Sequence, residues 1–88
     1  MAIVYIPATL TALTSGVASV EVEGSNVRQV IENLEKRYPG LRERLLDGDR
    51  LRANISVAVD GEVTPLGLLE PVSRQSEVHF VAAISGGL

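Results

Sequence analysis

The chain has 88 residues and 45% apolar composition, which suits one small globular domain and is too short for two. It contains no cysteine, and this excludes disulfides, thiolate metal ligands and thiol nucleophiles. The formal net charge is −3 and the arginines are interleaved with acids, so the sequence lacks the clustered cations of a nucleic-acid-binding surface.

The first predicted elements form a hairpin. Residues 2–7, AIVYIP, are apolar up to the proline and predict a strand with apolar contacts on both faces. Residues 8–16 end in Ser15-Gly16 and predict a turn region. Residues 17–23 alternate and predict a strand whose outward acids make it a charged edge of the sheet. The inward residues of that strand are predicted to be Ala18, Val20 and Val22.

A helix is predicted after Gly24-Ser25. Asn26 is the expected N-cap, and Gln29 three residues later completes a capping-box pattern. Pro39-Gly40 ends the helix. Residues at helical spacing give it one apolar stripe: Val27, Val30, Ile31, Leu34 and Tyr38. Three further leucines predict a short extra helical turn before the Asp47-Gly48-Asp49 loop: Leu41, Leu45 and Leu46.

The second half of the chain predicts further strands. Residues 52–59 alternate, and Asp60-Gly61 is a strong hairpin signal that returns the chain through 62–64. Residues 66–71 predict a loop or single turn, and residues 77–84 a final apolar strand. In the 52–59 strand, one face is predicted to carry Ile55, Val57 and Val59, and the other Asn54, Ser56 and Ala58.

The predicted element order is β-β-α-β-β-β. One helix then covers one face of a small mixed sheet, with the first and last strands side by side in its middle. This is the β-grasp, or ubiquitin-like, architecture of the α+β class. We expect the domain to cover residues 1–84 and a flexible tail to cover residues 85–88.

The sequence offers no convincing catalytic site. The single histidine, His79, lies within the last predicted strand rather than in a loop beside a serine and an acid. Asp47-Gly48-Asp49 lacks the acid ladder of a calcium loop, and Glu21 with Glu23 is best interpreted as a solvated strand edge. We therefore expect no catalytic residue, no metal and no cofactor.

The sequence also predicts no association with membranes. It contains no apolar run near 18 residues and no secretion-type signal after Met1. A cytoplasmic location is therefore expected.

The end of the chain carries the most specific signal. Gly86-Gly87 follows an apolar strand and Ser85, and Leu88 comes after it. Because glycine loses the most freedom on folding, a glycine pair suits a tail that must enter a narrow space rather than an ordered element. With the predicted strand order, the chain resembles the ubiquitin-like sulfur carriers, which include the molybdopterin synthase small subunit, the thiamine sulfur carrier and the cysteine-synthesis sulfur carrier.

The resemblance covers essentially the whole chain and is closest to the cysteine-synthesis branch. The segments that carry it are Ile6-Pro7, Leu13-Thr14-Ser15-Gly16, Gly24-Ser25-Asn26-Val27, Leu34, Tyr38-Pro39-Gly40-Leu41, Ile55-Ser56-Val57-Ala58-Val59-Asp60, Glu77-Val78-His79-Phe80 and Gly86-Gly87. It implies that an ATP-dependent adenylating enzyme activates the carboxylate of Gly87. Sulfur then replaces AMP to give a thiocarboxylate, which is delivered to a sulfur-accepting biosynthetic enzyme.

Two features depart from the family pattern. The family commonly has proline just before the glycines, where this chain has Ala82-Ala83. In addition, Leu88 holds the carbonyl of Gly87 in an amide. The resemblance therefore implies a precursor from which a protease, of the metalloprotease kind that processes ubiquitin-like tails, removes Leu88. The alternative is an inactive paralogue in which Leu88 is a neutral addition.

Two other interpretations stay open from the sequence. The glycine could be joined to a lysine amine on a target, as in a protein modifier, or the chain could be an interaction module without terminal chemistry. The sulfur carrier, the protein modifier and the interaction module all need a docking surface. We expect that surface on the face of the sheet that the helix does not cover. The residues predicted to form that surface are Ile3, Tyr5, Ala58, His79 and Val81.

Overall fold

The computed structural model describes residues 1–82, and the predicted tail lies outside this range. Within residues 1–82, five strands form a mixed sheet in the order β2-β1-β7-β5-β6, and two short strands form a separate hairpin, β3-β4. The strands are β1 (Ala2–Tyr5), β2 (Ser19–Val22), β3 (Leu46–Asp47), β4 (Arg50–Leu51), β5 (Ile55–Val59), β6 (Glu62–Val63) and β7 (Glu77–Ala82). The helices are α1 (Val27–Arg37), α2 (Leu41–Leu45) and two 3-10 helices, Ala8–Thr14 and Gly67–Leu69.

The centre of the sheet is the predicted one. Strands β1 and β7 pair in parallel, with Val4 opposite Val78, while β2 and β5 pair antiparallel on either side of them. The β-grasp prediction is confirmed. Whether the domain ends at residue 84 stays a prediction, because that boundary lies beyond the described range.

Helix α1 covers one face of the sheet and creates the core. Asn26 caps it by accepting the Gln29 backbone N–H at 2.8 Å. The Gln29 side chain accepts from the Ser25 N–H at 2.8 Å, one residue earlier than the usual capping box. The α1 residues buried against the sheet are Val27, Val30, Ile31 and Leu34. The residues that meet them from the sheet include Ala2, Val4, Val20, Val22, Val57, Val78 and Phe80.

The segment predicted as a plain turn, residues 8–16, is mostly a 3-10 helix. Thr14 explains its order: the hydroxyl is fully buried, 2.7 Å from the Val17 carbonyl and 3.1 Å from the Thr11 carbonyl. This structure delays the second strand to Ser19. Ala18 is consequently exposed, and its predicted inward position is wrong.

The predicted start of the 52–59 strand is also wrong. The Ile55 N–H donates to the Arg52 carbonyl at 2.9 Å, which closes a turn, so β5 begins at Ile55. At its other end Asp60 and Gly61 both have positive φ, 53° and 87°, as the predicted two-residue hairpin requires.

Candidate functional site

The face of the sheet opposite α1, here called the outer face, carries the predicted docking residues. Directly paired residues lie on the same side of a sheet. His79 is paired with Tyr5 on one side and with Ala58 on the other, and Ala58 is paired with Val63. These four residues therefore form one row across four strands, with Ile3 and Val81 on the same side above and below it.

Tyr5 and His79 are in direct contact at the centre of this row. Their ring centroids are 4.3 Å apart and the planes differ by 6°, so the rings are stacked. Both residues are half-buried. The stack fixes the position of the His79 ring against Tyr5 of the neighbouring strand.

The predicted docking residues differ in accessibility. Ile3 is 37% exposed and Val81 is 50% exposed, which is high for aliphatic side chains on central strands. Ala58 lies on the outer face as expected, yet it is only 8% exposed because its small side chain lies between His79 and Val63. It offers a partner little contact area, whereas Val63, which the sequence analysis did not single out, is 65% exposed.

Two charged residues of the outer face were also missed. Glu21 and Glu77 are the residues paired with Ile3 on its two sides, and both are exposed. From the sequence, Glu21 was predicted to lie on a solvated strand edge and Glu77 to begin a strand. The β1–β2 register places Glu21 beside Ile3, and the β1–β7 register places Glu77 on its other side. The alternation of residues along these strands was the one sequence signal that could have indicated this row.

Strand β7 connects this face to the predicted reactive tail. It is paired on both sides, and its last described residue, Ala82, lies opposite Ile55. The predicted tail and processing residues, Ser85, Gly86, Gly87 and Leu88, lie outside the described residues. Their roles stay predictions.

The described part of the chain shows no group of three or more histidines, cysteines or acids placed to hold a metal ion. No helix between residues 1 and 82 is both long and apolar enough to cross a membrane. The cytoplasmic location expected from the sequence stays a prediction.

Comparison with known proteins identifies the family. A family model described as the ThiS family matches residues 4–87. The sulfur carrier protein CysO of Mycobacterium tuberculosis is 32% identical over 89 residues, covering 96% of this chain and 96% of that protein. The chain belongs to the ThiS family. It is a sulfur carrier rather than a catalyst, as the resemblance implied.

Solved structures agree with this ThiS-family assignment. A chain of the BexX/CysO complex of Amycolatopsis orientalis has a TM-score of 0.93 and 31% identity, and the match covers 99% of this chain and 100% of that one. The small archaeal modifier protein 1 of Methanosarcina acetivorans has a TM-score of 0.81 at 23% identity, covering 98% of this chain and 95% of that one. The second likeness is one of fold alone.

Proposed function

We propose that this chain carries sulfur as a thiocarboxylate on Gly87 and delivers it to an enzyme of cysteine synthesis. The observation that carries the proposal is the extent of the family match. It spans residues 4–87 and so includes the glycine pair, while Leu88 lies beyond it. The identity to CysO over nearly the whole chain favours the cysteine branch over the molybdopterin and thiamine branches.

The chemistry needs a free glycine carboxylate. In the first step, that carboxylate attacks the α-phosphate of ATP and releases pyrophosphate, giving an acyl-adenylate. In the second, a sulfur nucleophile at the oxidation level of sulfide attacks the acyl carbon and AMP leaves. The sulfur is then held on the terminal carbonyl carbon, which accounts for a carrier without any cysteine.

The glycine pair suits delivery into another enzyme. Two residues without a Cβ let an extended backbone pass close to the walls of a channel. Ordering a free residue costs about 1–2 kcal/mol, so a tail of several residues needs a docked domain to offset that cost. Strand β7 supplies the connection, because it is held between β1 and β5 and leads directly toward the tail.

The docking surface that offsets this cost is proposed to be the outer face. Its exposed aliphatic residues, Ile3 and Val81, flank the Tyr5–His79 stack and are not part of the buried core. A related CysO forms a complex with a partner protein, BexX. The adenylating enzyme and the sulfur-accepting enzyme both need the same tail, so we expect them to use this face in turn rather than together.

The proposal requires removal of Leu88. An acyl-adenylate forms only on a free carboxylate, and the branched leucine side chain is poorly suited to a channel fitted to glycine. Hydrolysis of the Gly87–Leu88 amide, which we assign to a metalloprotease, yields the reactive form. We place these ATP-dependent steps in the cytoplasm.

The test compares the full chain with a chain that ends at Gly87. Each is mixed with ATP and the adenylating enzyme encoded by the same genome, and pyrophosphate release is measured. The shortened chain should release pyrophosphate and the full chain should not. Equal rates with Leu88 still present, checked by intact mass, would refute the precursor proposal. No release from either chain would refute the carrier proposal.

A second measurement separates the carrier from a protein modifier. The protein is purified from its native host and its intact mass is determined. A carrier should appear without Leu88 and with one oxygen replaced by sulfur. A modifier should appear joined through Gly87 to lysines of other proteins.

A further inference from the structure

The charges of the outer face are of one sign. Among residues 1–82, the strand residues on this face include two charged side chains, Glu21 and Glu77, and both are acids. The complete set of these outward strand residues is Ile3, Tyr5, Ser19, Glu21, Ser56, Ala58, Val63, Glu77, His79 and Val81. The strands of this face therefore combine exposed aliphatic residues with an acidic row at one end, and Arg37 of α1 reaches the same β2 edge.

The acidic row lies at one end of the face. Glu21, Ile3 and Glu77 form one row, and Glu77 is the first residue of β7. The strand ends at Ala82, where the chain leaves toward the tail. At a rise of about 3.3 Å per residue, the acidic row lies about 16 Å from that exit. The acids and the last residue of β7 are thus at opposite ends of the same surface.

The two carboxylates are free to meet a partner. Over residues 1–82 the ion pair found within 4 Å joins Arg42 to Glu32 at 3.4 Å, on the two helices. Arg37 is a neighbouring cation, but it donates to the backbone carbonyl of Glu21, at 2.7 Å, at the β2 edge. Both carboxylates are on exposed residues.

We propose that this acidic row fixes the direction in which the domain docks on the adenylating enzyme, an inference that rests on the proposed function. The occupant of the outer face then has an apolar surface opposite Tyr5, His79 and Val81, and lysine or arginine side chains opposite Glu21 and Glu77. Apolar contact alone has no preferred direction. A charged row at one end favours the single orientation in which the exit of β7 faces the catalytic centre.

Docking in the reversed orientation would be unproductive, and the acidic row would disfavour it. Turned end for end, the domain would bring its acids toward the region of the enzyme that must also accept the phosphates of ATP. It would also move the start of the tail away from the channel by about 16 Å, which is more than four extended residues span. Opposite charges additionally speed encounter, and this effect weakens as salt is added.

The experiment uses the chain ending at Gly87, in three forms. One is unsubstituted, one carries Glu21→Lys with Glu77→Lys, and one carries Asp47→Lys with Asp49→Lys. The last is the matched control, because Asp47 and Asp49 are exposed acids of the β3-β4 hairpin and the charge change is the same. Binding to the adenylating enzyme and pyrophosphate release are both measured at low and at high salt.

We expect Glu21→Lys with Glu77→Lys to weaken binding about tenfold or more at low salt, with the loss shrinking as salt rises. The control should change binding by less than about twofold beyond any general charge effect. Equal behaviour of the two double variants would overturn the proposal. Failure of the unsubstituted chain to release pyrophosphate would instead count against the proposed function, while the binding comparison would still show whether the acidic row takes part in docking.

A second, more conservative pair of substitutions tests whether weaker binding could result from loss of folding. Glu21→Gln with Glu77→Gln keeps the shape of both side chains and removes only their charge. Its binding should lose most of the salt dependence of the unsubstituted chain while its unfolding midpoint is retained. Unchanged salt dependence in this variant would also overturn the proposal.

Discussion

The two faces of the sheet both carry aliphatic residues and differ in how far those residues are buried. Val4 is fully buried beneath α1, whereas its neighbour Ile3 is 37% exposed on the outer face. The same contrast holds on β7, where Val78 is fully buried and Val81 is 50% exposed. Three of the four pairings in this sheet are antiparallel, and antiparallel sheets commonly leave one face in water with polar residues on it. Here the β1–β7 pair is covered by the chain's own described residues on one face, so the exposed apolar residues of the other are better explained by a partner than by folding.

The largest expected effect tests the inner face. Leu34→Ala removes a fully buried side chain where α1 meets the sheet and should lower the free energy of unfolding by about 3 kcal/mol. Val81→Ala on the outer face is the matched control, and it should cost less than about 0.5 kcal/mol. Urea unfolding measures both. Similar losses would mean that the outer face contributes to folding as the inner one does.

The next effect tests the outer face through binding. Ile3→Asp with Val81→Asp should weaken binding to the adenylating enzyme about tenfold or more, or about 1.4 kcal/mol, because a carboxylate on an apolar interface loses hydration. Leu69→Asp is the control, since Leu69 is 73% exposed but lies in the 3-10 helix Gly67–Leu69. Titration calorimetry gives the affinities and circular dichroism checks the fold. An equal loss in the control would remove the outer face as the docking surface.

The sequence allowed the inner face to be predicted almost completely. Periodicity identified the buried side of α1 and the core residues of β5, because burial repeats every 3.6 residues in a helix and every two in a strand. Asn26 and Asp60-Gly61 were equally readable, since their chemistry acts over a few neighbouring residues. The glycine pair pointed to the family in combination with the predicted strand order, which local patterns were sufficient to give.

The features that could not be predicted from the sequence depend on contacts between segments that are distant along the chain. The pairing of Ile3 with Glu77 is a register between residues at opposite ends of the chain, and no local pattern encodes it. The burial of Ala58 depends in the same way on His79 and Val63 from other strands. The 3-10 helix was missed because the buried Thr14 hydroxyl orders a segment whose composition is that of a loop.

A smaller effect tests how the helix that covers the inner face is held in place. Asn26→Ala removes the acceptor of the Gln29 N–H and should lower the free energy of unfolding by about 1 kcal/mol. Asn54→Ala is the matched control, because it removes the same side chain from an exposed turn position. Affinity for the adenylating enzyme at a temperature well below unfolding should stay the same in both. A lower affinity for Asn26→Ala alone would mean that the helix side also takes part in docking.

The smallest expected effect concerns the Tyr5–His79 stack, and it asks whether this pair belongs to folding or to binding. Stacked rings contribute about 0.5–1.5 kcal/mol beyond their area when well packed, and these half-buried rings should be at the lower end. A double-mutant cycle with Tyr5→Ala and His79→Ala should therefore give a coupling of about 0.5 kcal/mol in urea unfolding. The same cycle measured in binding to the adenylating enzyme should give a larger coupling. A partner that covers both rings excludes water from them and depends on their fixed mutual position. A coupling that is larger in unfolding than in binding would assign the stack to the stability of the sheet and leave Ile3 and Val81 as the docking contacts.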